Sequence, residues 1–383
     1  MMISAFLLIF VLSGCVPNFG EQEEVIPEDK DTEEKAIVPN YQISDSYYRT
    51  ISPFKPSDSR GTVLERLNSR YDSDEFEEGL LRIAQKTFST EDYIFQDGQY
   101  LDKDTIVKWL SRKYTASQLK ERNLSETDNV GLNPTLNVGK DEVAAHEKSP
   151  LYLSHILEHN YLVKTDGKKV KLAGISIGLA LNSVYYYNTK DGRSNSVEIS
   201  DTELDKQGKK IAEEIVQRLR KIEGLGSVPI VVSLYKQQER NSVIPGNFFS
   251  YGVVKKGTSV DWSEVNEQYV LFPSSIASSK QYRADFEKFE QFQNNVDKYF
   301  PNYNGVVGRA FYAENEIRKL EIDVTIQFFG KAETIGFAQY VAGLLVKSFP
   351  ENLHVEINIK STKGQEALIL KEANKDEPFV YVY

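Results

Sequence analysis

The sequence of 383 residues predicts an α+β fold of two related β-α-β-β-β units with mostly antiparallel sheets, preceded by an α-rich N-terminal extension. Three observations carry that expectation. One order of strand and helix patterns occurs twice in the C-terminal two thirds. The aromatic share is 11%, with 22 Tyr and 20 Phe, which favours strand-rich structure over long helical bundles. The segment before the first repeat reads as helices and loops.

The extension, residues 41–160, opens with Tyr47–Gly61 (YYRTISPFKPSDSRG), a short strand running into a Pro-rich loop. Asp74–Phe88 and Asp104–Tyr114 are helical, with acids at their starts where the helix dipole favours them. Residues 123–139 form a loop by composition. In Leu172–Leu181 (LAGISIGLAL) the odd positions Ile175, Ile177, Leu179 and Leu181 share one strand face. Gly174, Ser176, Gly178 and Ala180 share the other, a small-residue face that another element can approach closely.

A helix follows from about Asp201, with Ser200 and Glu203 at capping-box spacing and a stripe of Leu204, Ile211, Ile215, Leu219 and Ile222. Gly224 stands where a helix-ending glycine is expected. Strand-like runs Ile230–Tyr235, Phe248–Val254 and Tyr269–Phe272 complete the first unit, which carries insertions at 185–199 and 236–247. The second unit repeats the order: Leu320–Phe328, a helix over Ile335–Phe349 stopped by Pro350, then Leu353–Ile359, Ala367–Leu370 and Phe379–Tyr383. A helix precedes each unit, 74–88 for the first and 283–300 for the second. The boundaries read from this are 1–14, a lipoprotein signal peptide; 15–40, a disordered acidic tether; 41–272, the extension plus the first unit; and 273–383, the second unit.

The signal peptide is read from chemistry. Met1–Leu12 is nearly all apolar and runs into Leu12-Ser13-Gly14-Cys15. A branched apolar residue and two small ones before a Cys form a lipobox: the thiol is alkylated by diacylglycerol, and the signal peptidase cuts ahead of Cys15. The apolar run is too short to span a bilayer, which takes about 20 residues. No Lys or Arg precedes Cys15, whereas signal peptides begin with a positive segment, so the start codon is expected upstream. Cys15 is the only cysteine, so the body is expected to rest on its core with no internal disulfide. Between Glu21 and Lys35 eight acids face two bases, a net −6, which leaves −4 of the total −10 to the rest. Such a body carries no basic footprint for nucleic acid, and the acidic, Pro-punctuated stretch stays unfolded by composition.

The lipobox, the acidic tether, the YYRTISPFKPSDSRG segment and the GISIGLALNSVYYYN strand together resemble the CamS family, sex-pheromone precursor lipoproteins of Gram-positive bacteria. The resemblance implies attachment to the membrane through diacylglycerol on Cys15, on the extracytoplasmic face, and handling by lipoprotein-processing enzymes. It implies that an apolar peptide from the end of the signal peptide, here Leu8-Ile9-Phe10-Val11-Leu12-Ser13-Gly14, is released and met by a peptide receptor on other cells. It leaves the role of the body open.

Three patterns point to chemistry. His155-Ile156-Leu157-Glu158-His159 fits H-x-x-E-H, which on a helix brings two imidazoles and a carboxylate to one face for zinc, with Glu213 or Glu214 as a third ligand. The chain has four His, and the neighbours are Leu, Ile and Tyr, which give no second shell of partners for a metal site. Gly174-Ile175-Ser176-Ile177-Gly178 fits G-x-S-x-G, but alternation continues to Leu181 and leaves Ser176 in mid-strand where a nucleophile needs a turn. Ser117-x-x-Lys120 fits S-x-x-K, a very common pattern, and no phosphate-binding loop G-x-x-x-x-G-K-[ST] occurs. The expectation is a non-catalytic body with neither cofactor nor metal. The alternatives are a substrate-binding lipoprotein serving a transporter and a zinc-dependent hydrolase built on His155, Glu158 and His159.

Overall fold

A computed structural model describes residues 33–39, 42–165, 169–299, 305–327 and 330–383. The expected signal peptide, Cys15 and the greater part of the acidic stretch lie outside these residues. In chain order the first part comprises β1 (Glu33–Lys35), β2 (Arg49–Thr50), α1 (Thr62–Arg66), α2 (Arg70–Ala84), β3 (Ile94–Asp97), α3 (Lys103–Leu110), α4 (Ala116–Glu121) and α5 (Glu142–Lys148). It continues with β4 (Leu153–Lys164), β5 (Lys169–Asn182), β6 (Val184–Asn188), β7 (Ser194–Glu198), α6 (Asp201–Leu219), β8 (Ile230–Gln237), β9 (Asn247–Val254) and β10 (Asp261–Glu264). The second part comprises β11 (Glu267–Phe272), α7 (Arg283–Tyr299), β12 (Gly305–Ala313), β13 (Glu316–Thr325), α8 (Lys331–Ser348), β14 (His354–Ser361), β15 (Gly364–Lys371) and β16 (Phe379–Val382).

Two mixed sheets organise the chain. The first runs β10-β9-β8-β5-β4-β3-β2 and the second β11-β12-β13-β14-β15-β16. Each has one parallel central pair, β5 with β8 and β13 with β14, bridged by the crossover helices α6 and α8. From β3 to β10 and from β11 to β16, every other neighbouring pair is antiparallel. The repeat is therefore longer than the sequence suggests: β3-helices-β4-β5-α6-β8-β9-β10 corresponds to β11-α7-β12-β13-α8-β14-β15-β16.

Three expected placements change. The strand Glu267–Phe272 pairs with β12 and opens the second sheet, so the first unit does not run through Phe272. The helix 74–88, here α2, is not the counterpart of α7, because α3, α4 and α5 fill the matching place between β3 and β4. The expected tether ends before residue 40: β1 pairs antiparallel with Lys169–Lys171, and Ala36 is buried. The physical reason is an open backbone edge, since β8 pairs with β5 only from Ile175 onward and leaves the start of β5 free. The insertion at 185–199 folds into its own two-stranded hairpin, β6 with β7.

The odd positions of the LAGISIGLAL strand face α6, joining Leu204, Ile211, Ile215 and Leu219 in one core. Each such fully buried aliphatic side chain contributes about 1.5–3 kcal/mol. Ser200 caps α6 by accepting from the Glu203 N–H, as its spacing predicts, but the helix ends at Leu219, and Gly224, with φ +85°, serves the following turn. The small-residue face of β5 receives α2. A Cβ on Gly178 would stand 2.9 Å from the Phe76 ring, and one on Gly174 would run into Phe88.

Helix α2 holds the two units together. Ser69 caps it, and Asp72 in its first turn accepts from Tyr235 Oη at 2.9 Å and from the N–H groups of Gln238 and Gly246. Its opposite side meets the second sheet, where Tyr269 Oη donates to Glu75 and the Arg309 guanidinium lies 5.2 Å from the Tyr71 ring centre. One helix is thus packed between the sheets, with α6 and the α7–α8 pair on their outer faces.

Candidate functional site

Strand β4 positions the pattern that invites catalysis. Residues 153–164 form a strand, not the helix that H-x-x-E-H requires. In a strand successive side chains alternate between faces, so His155, Leu157 and His159 share one face and Glu158 points to the other. The two imidazoles are about 13 Å apart along the strand and stand roughly perpendicular to the sheet, too far to share one ion whose bonds are about 2 Å long. Glu213 and Glu214 lie on α6, across the sheet, where Glu214 is paired with Lys113 and Arg218. No group of three or more His, Cys, Asp or Glu able to hold a metal occurs among the described residues.

Glu158 has a structural task. Its carboxylate accepts from the backbone N–H groups of Gln99, Tyr100 and Leu101, at 2.7–3.2 Å, fixing the turn before α3. Burial pushes its pKa up, and the three N–H donors oppose that shift. Ser176 is fully buried in mid-strand opposite His159, with no hydrogen-bond partner for its hydroxyl, so G-x-S-x-G is a packing pattern here. Ser117 and Lys120 are exposed on the short helix α4.

The His face of β4 forms the floor of a cleft of about 250 Å³. Beside it β3 contributes Phe95, whose ring meets His159 edge-on at 5.0 Å, and Asp97, the direct cross-strand neighbour of His159. Helix α2 supplies Glu77 and Leu81 as one wall, and the Pro-rich loop at 54–61 supplies the other. That loop is held by Asp97, which accepts from the Ser57 N–H at 2.9 Å, and by Gln99, which donates to the carbonyls of Lys55 and Pro56. Arg60 stands at the rim with its guanidinium 5.1 Å from the Phe54 ring centre.

The electrostatics of the cleft follow from burial. His155 and His159 are only 1% and 4% exposed, and the Nδ1 atom of each has no hydrogen-bond partner among the described residues. Burial, with Arg66 nearby, holds the His155 imidazole down at about 4; burial alone takes His159 to about 3. Both are neutral at neutral pH. Burial and then the neighbouring acids Asp74 and Asp97 push the Glu77 carboxyl up, with Arg60 opposing. Sequence reasoning missed this cleft because it assigned no strand to 153–164. The signal was the apolar and aromatic set at 157, 161 and 163, blurred because both faces of β4 are buried.

A second cleft, of about 290 Å³, opens where the units meet, between the Asp201–Lys236 ion pair and Glu267 and Gln268 of β11. Helix α2 occupies much of the space between the sheets, packing on β5, β8 and β9 and reaching Glu267 and Tyr269 of β11.

The family model described as CamS sex pheromone cAM373 precursor matches residues 54–377. The chain belongs to the CamS family. The matched span runs from the loop walling the cleft through β15, so most of the described body, not one motif, carries the match. A crystal structure of a sex pheromone precursor from Lactobacillus salivarius is similar at 31% identity and TM-score 0.80, covering 90% of this chain and 98% of that one. The C-terminal domain of the sex pheromone staph-cAM373 precursor from Staphylococcus aureus is similar at 36% identity and TM-score 0.71, covering 83% and 99%. No curated protein sequence matches. The CamS α+β fold is thus common to this chain and to both precursors. Cys15, the lipobox and Leu8–Gly14 lie outside both the matched span and the described residues. Among the described residues no helix is long and apolar enough to cross a membrane.

Proposed function

We propose that this chain is a lipid-anchored precursor whose signal peptide yields an apolar signalling peptide, while the folded body does non-catalytic work at the outer surface of the membrane. The observation that carries the reading is Leu12-Ser13-Gly14-Cys15 directly after an apolar run, in a chain of the CamS precursor family. Diacylglycerol on Cys15 supplies two acyl chains at about 0.8 kcal/mol per buried CH₂, enough for stable attachment where one chain is marginal. The acidic, Pro-punctuated sequence that follows Cys15 has the composition of a spacer between the bilayer and the body.

Cutting ahead of Cys15 fixes one end of the released fragment at Gly14. A second cleavage before Leu8 gives Leu8–Gly14, which has no ionisable side chain, so little desolvation cost opposes its leaving one membrane and entering another. A receptor for such a peptide reads it in a mostly apolar pocket, with Phe10 as the largest group to fit. The partners are therefore the membrane, the lipoprotein-processing enzymes and a peptide receptor on the receiving cell.

Mass spectrometry of spent medium, with a recipient clumping assay, tests the peptide. A fragment ending at Gly14, with response lost in Phe10→Ala while Cys15 is still lipidated, supports the reading. Normal maturation of the body with no such fragment overturns it. For the anchor, Cys15→Ala should accumulate as uncut precursor or be shed, and unchanged membrane retention would refute lipidation.

A further inference from the structure

β10 and β16 each close one end of a sheet, with one strand edge unpaired among the described residues. β10 carries Asp261 and Glu264, charges that deter a further strand. β16, followed by Tyr383, has no charged side chain in its run, and Phe379, Tyr381 and Tyr383 are each more than half exposed. The Tyr383 N–H donates to the Glu366 carbonyl of β15. Backbone groups alternate in direction along a strand, so those of Val380 and Val382 face outward. The helix over this edge is uncovered on the same side. α8 packs on β15 and β16 and meets α7 on its other flank, where the Tyr340 hydroxyl donates to the Asn295 carbonyl. At 3.6 residues per turn, the flank turned away from α7 carries Ile335, Gln339, Ala342 and Val346, an uncharged stripe at the spacing by which helices pack. Ile335 and Val346 are 42% and 46% exposed. We propose that β16 pairs antiparallel with β16 of a second copy of this chain, about a twofold axis at Tyr381, with α8 packed against its counterpart.

Register and geometry select a second copy as the occupant. With the axis at Tyr381, Val380 lies opposite Val382 of the second copy, and every outward N–H and C=O of the two valines finds a partner. Tyr381 then faces Tyr381 of the second copy and Phe379 faces its Tyr383, aromatic cross-strand pairs of the kind that stabilise a sheet. The axis is perpendicular to the joined sheet, so both α8 helices lie on one side of it. A helix resting over β15 and β16, with strands about 4.8 Å apart, comes within about 10 Å of its copy, the ordinary spacing of packed helices. A single added peptide strand would cover β16 and leave the α8 stripe in water. A second copy covers both, because a twofold contact is self-complementary, and neither strip holds a charge to oppose its own copy. With roughly ten residues a side, against about 20–30 in a standard interface, the pair is weak and reversible.

The full chain carrying Cys15→Ser, which leaves no cysteine, tests the proposal in detergent micelles kept in excess of protein. Sedimentation velocity at up to about 200 µM should show monomer in reversible exchange with dimer. Val380→Pro removes an outward N–H and spares the bonds to β15, so it should weaken association about tenfold or more. Val346→Lys, an exposed change that leaves the fold intact, should weaken it by a similar factor. Tyr381→Cys in the same background should give a disulfide-linked dimer on mild oxidation, because residues directly opposite in such a pair stand about 4.5 Å apart at Cα. Val243→Cys, half exposed in a distant loop, should not. Dimers weakened by neither Val380→Pro nor Val346→Lys overturn the proposal, as does Val243→Cys cross-linking as readily as Tyr381→Cys. So does a chain that stays monomeric throughout, whether or not its β16 edge then takes up a synthetic Leu8–Gly14 peptide.

Discussion

Arg82 on α2 grips Glu267 on β11 with two hydrogen bonds, Nε to Oε1 at 3.1 Å and Nη2 to Oε2 at 2.7 Å. The same Nη2 reaches Glu75 Oε1 at 2.5 Å, and the guanidinium lies 4.7 Å from the centre of the Phe311 ring. Glu75 is almost fully buried, which pushes its carboxyl up, while Arg82 and Tyr269 favour the charged form. One arginine thus ties the shared helix to the second sheet and neutralises the acid beneath it. Arg82→Ala should cost about 3 kcal/mol, the low end for a broken buried pair because Arg82 is itself a third exposed. Urea unfolding measures it; a midpoint unchanged from the parent would show that the pair adds nothing to the junction.

The small-residue face of β5 makes a second prediction. Phe76 and Leu80 of α2 lie against Gly178, so Gly178→Val forces either the ring or the helix outward. Overpacking of this kind costs about 1–3 kcal/mol. The equivalent change at exposed Gly226, where a Cβ meets nothing within 4 Å, should cost far less. Equal thermal shifts in the two variants would contradict the close approach of α2.

Much of this architecture was legible where one periodicity dominated. The LAGISIGLAL alternation named both faces of β5, and the stripe from Leu204 to Leu219 named the inner face of α6. Strands β4 and β12 were not legible. Both faces of β4 are covered, by α2 and by α3, so polar and apolar residues do not alternate cleanly, and His155-x-x-Glu158-His159 imitated a helical metal motif. In β12, Gly308 and Arg309 interrupt an apolar run because Gly308 makes room for Phe289 while Arg309 pairs with Glu321 and Asp323 on the opposite face. The run Tyr269–Phe272 was placed in the first unit because it follows Phe248–Val254 in sequence, whereas its pairing with β12 is decided only by tertiary contact. The cleft was illegible for a further reason: its parts come from a loop, a helix and two strands spread between Phe54 and His159.

Glu158 is expected to act on the fold and not on a metal. Glu158→Ala leaves three backbone N–H groups of the turn before α3 without their acceptor, a loss of about 2–3 kcal/mol for hydrogen bonds to a charged group. Glu158→Gln keeps one acceptor and should lose less. Purified chain should carry no stoichiometric zinc by elemental analysis. Zinc at one equivalent, removed by His155→Ala, would return His155 and Glu158 to a metal-site reading.

The buried histidines predict how stability varies with pH. Both have pKa values depressed in the folded state, His155 to about 4 and His159 to about 3, below the ordinary 6.5. As pH falls through 6.5 the unfolded chain takes up protons that the folded chain refuses, so folding stability drops. Each histidine contributes a slope approaching 1.4 kcal/mol per pH unit between about 6.5 and its folded value. Glu75 and Glu158 act in the opposite sense. Their folded pKa values are raised, so their contribution is present at low pH and is lost as pH rises through the carboxylate range. Above the ordinary carboxylate value these acids hold protons in the fold that the unfolded chain has lost, which offsets the histidine slope, so the His159 contribution is read as the difference between the parent and a variant that lacks it. From pH 7 to 5.5 the urea midpoint of the parent should drop relative to that of a His159→Phe variant, whose ring suits the apolar setting beside Phe95. If parent and variant decline in parallel, His159 is protonated in the fold at mild acidity, and the neutral floor of the cleft is not as the geometry presents it.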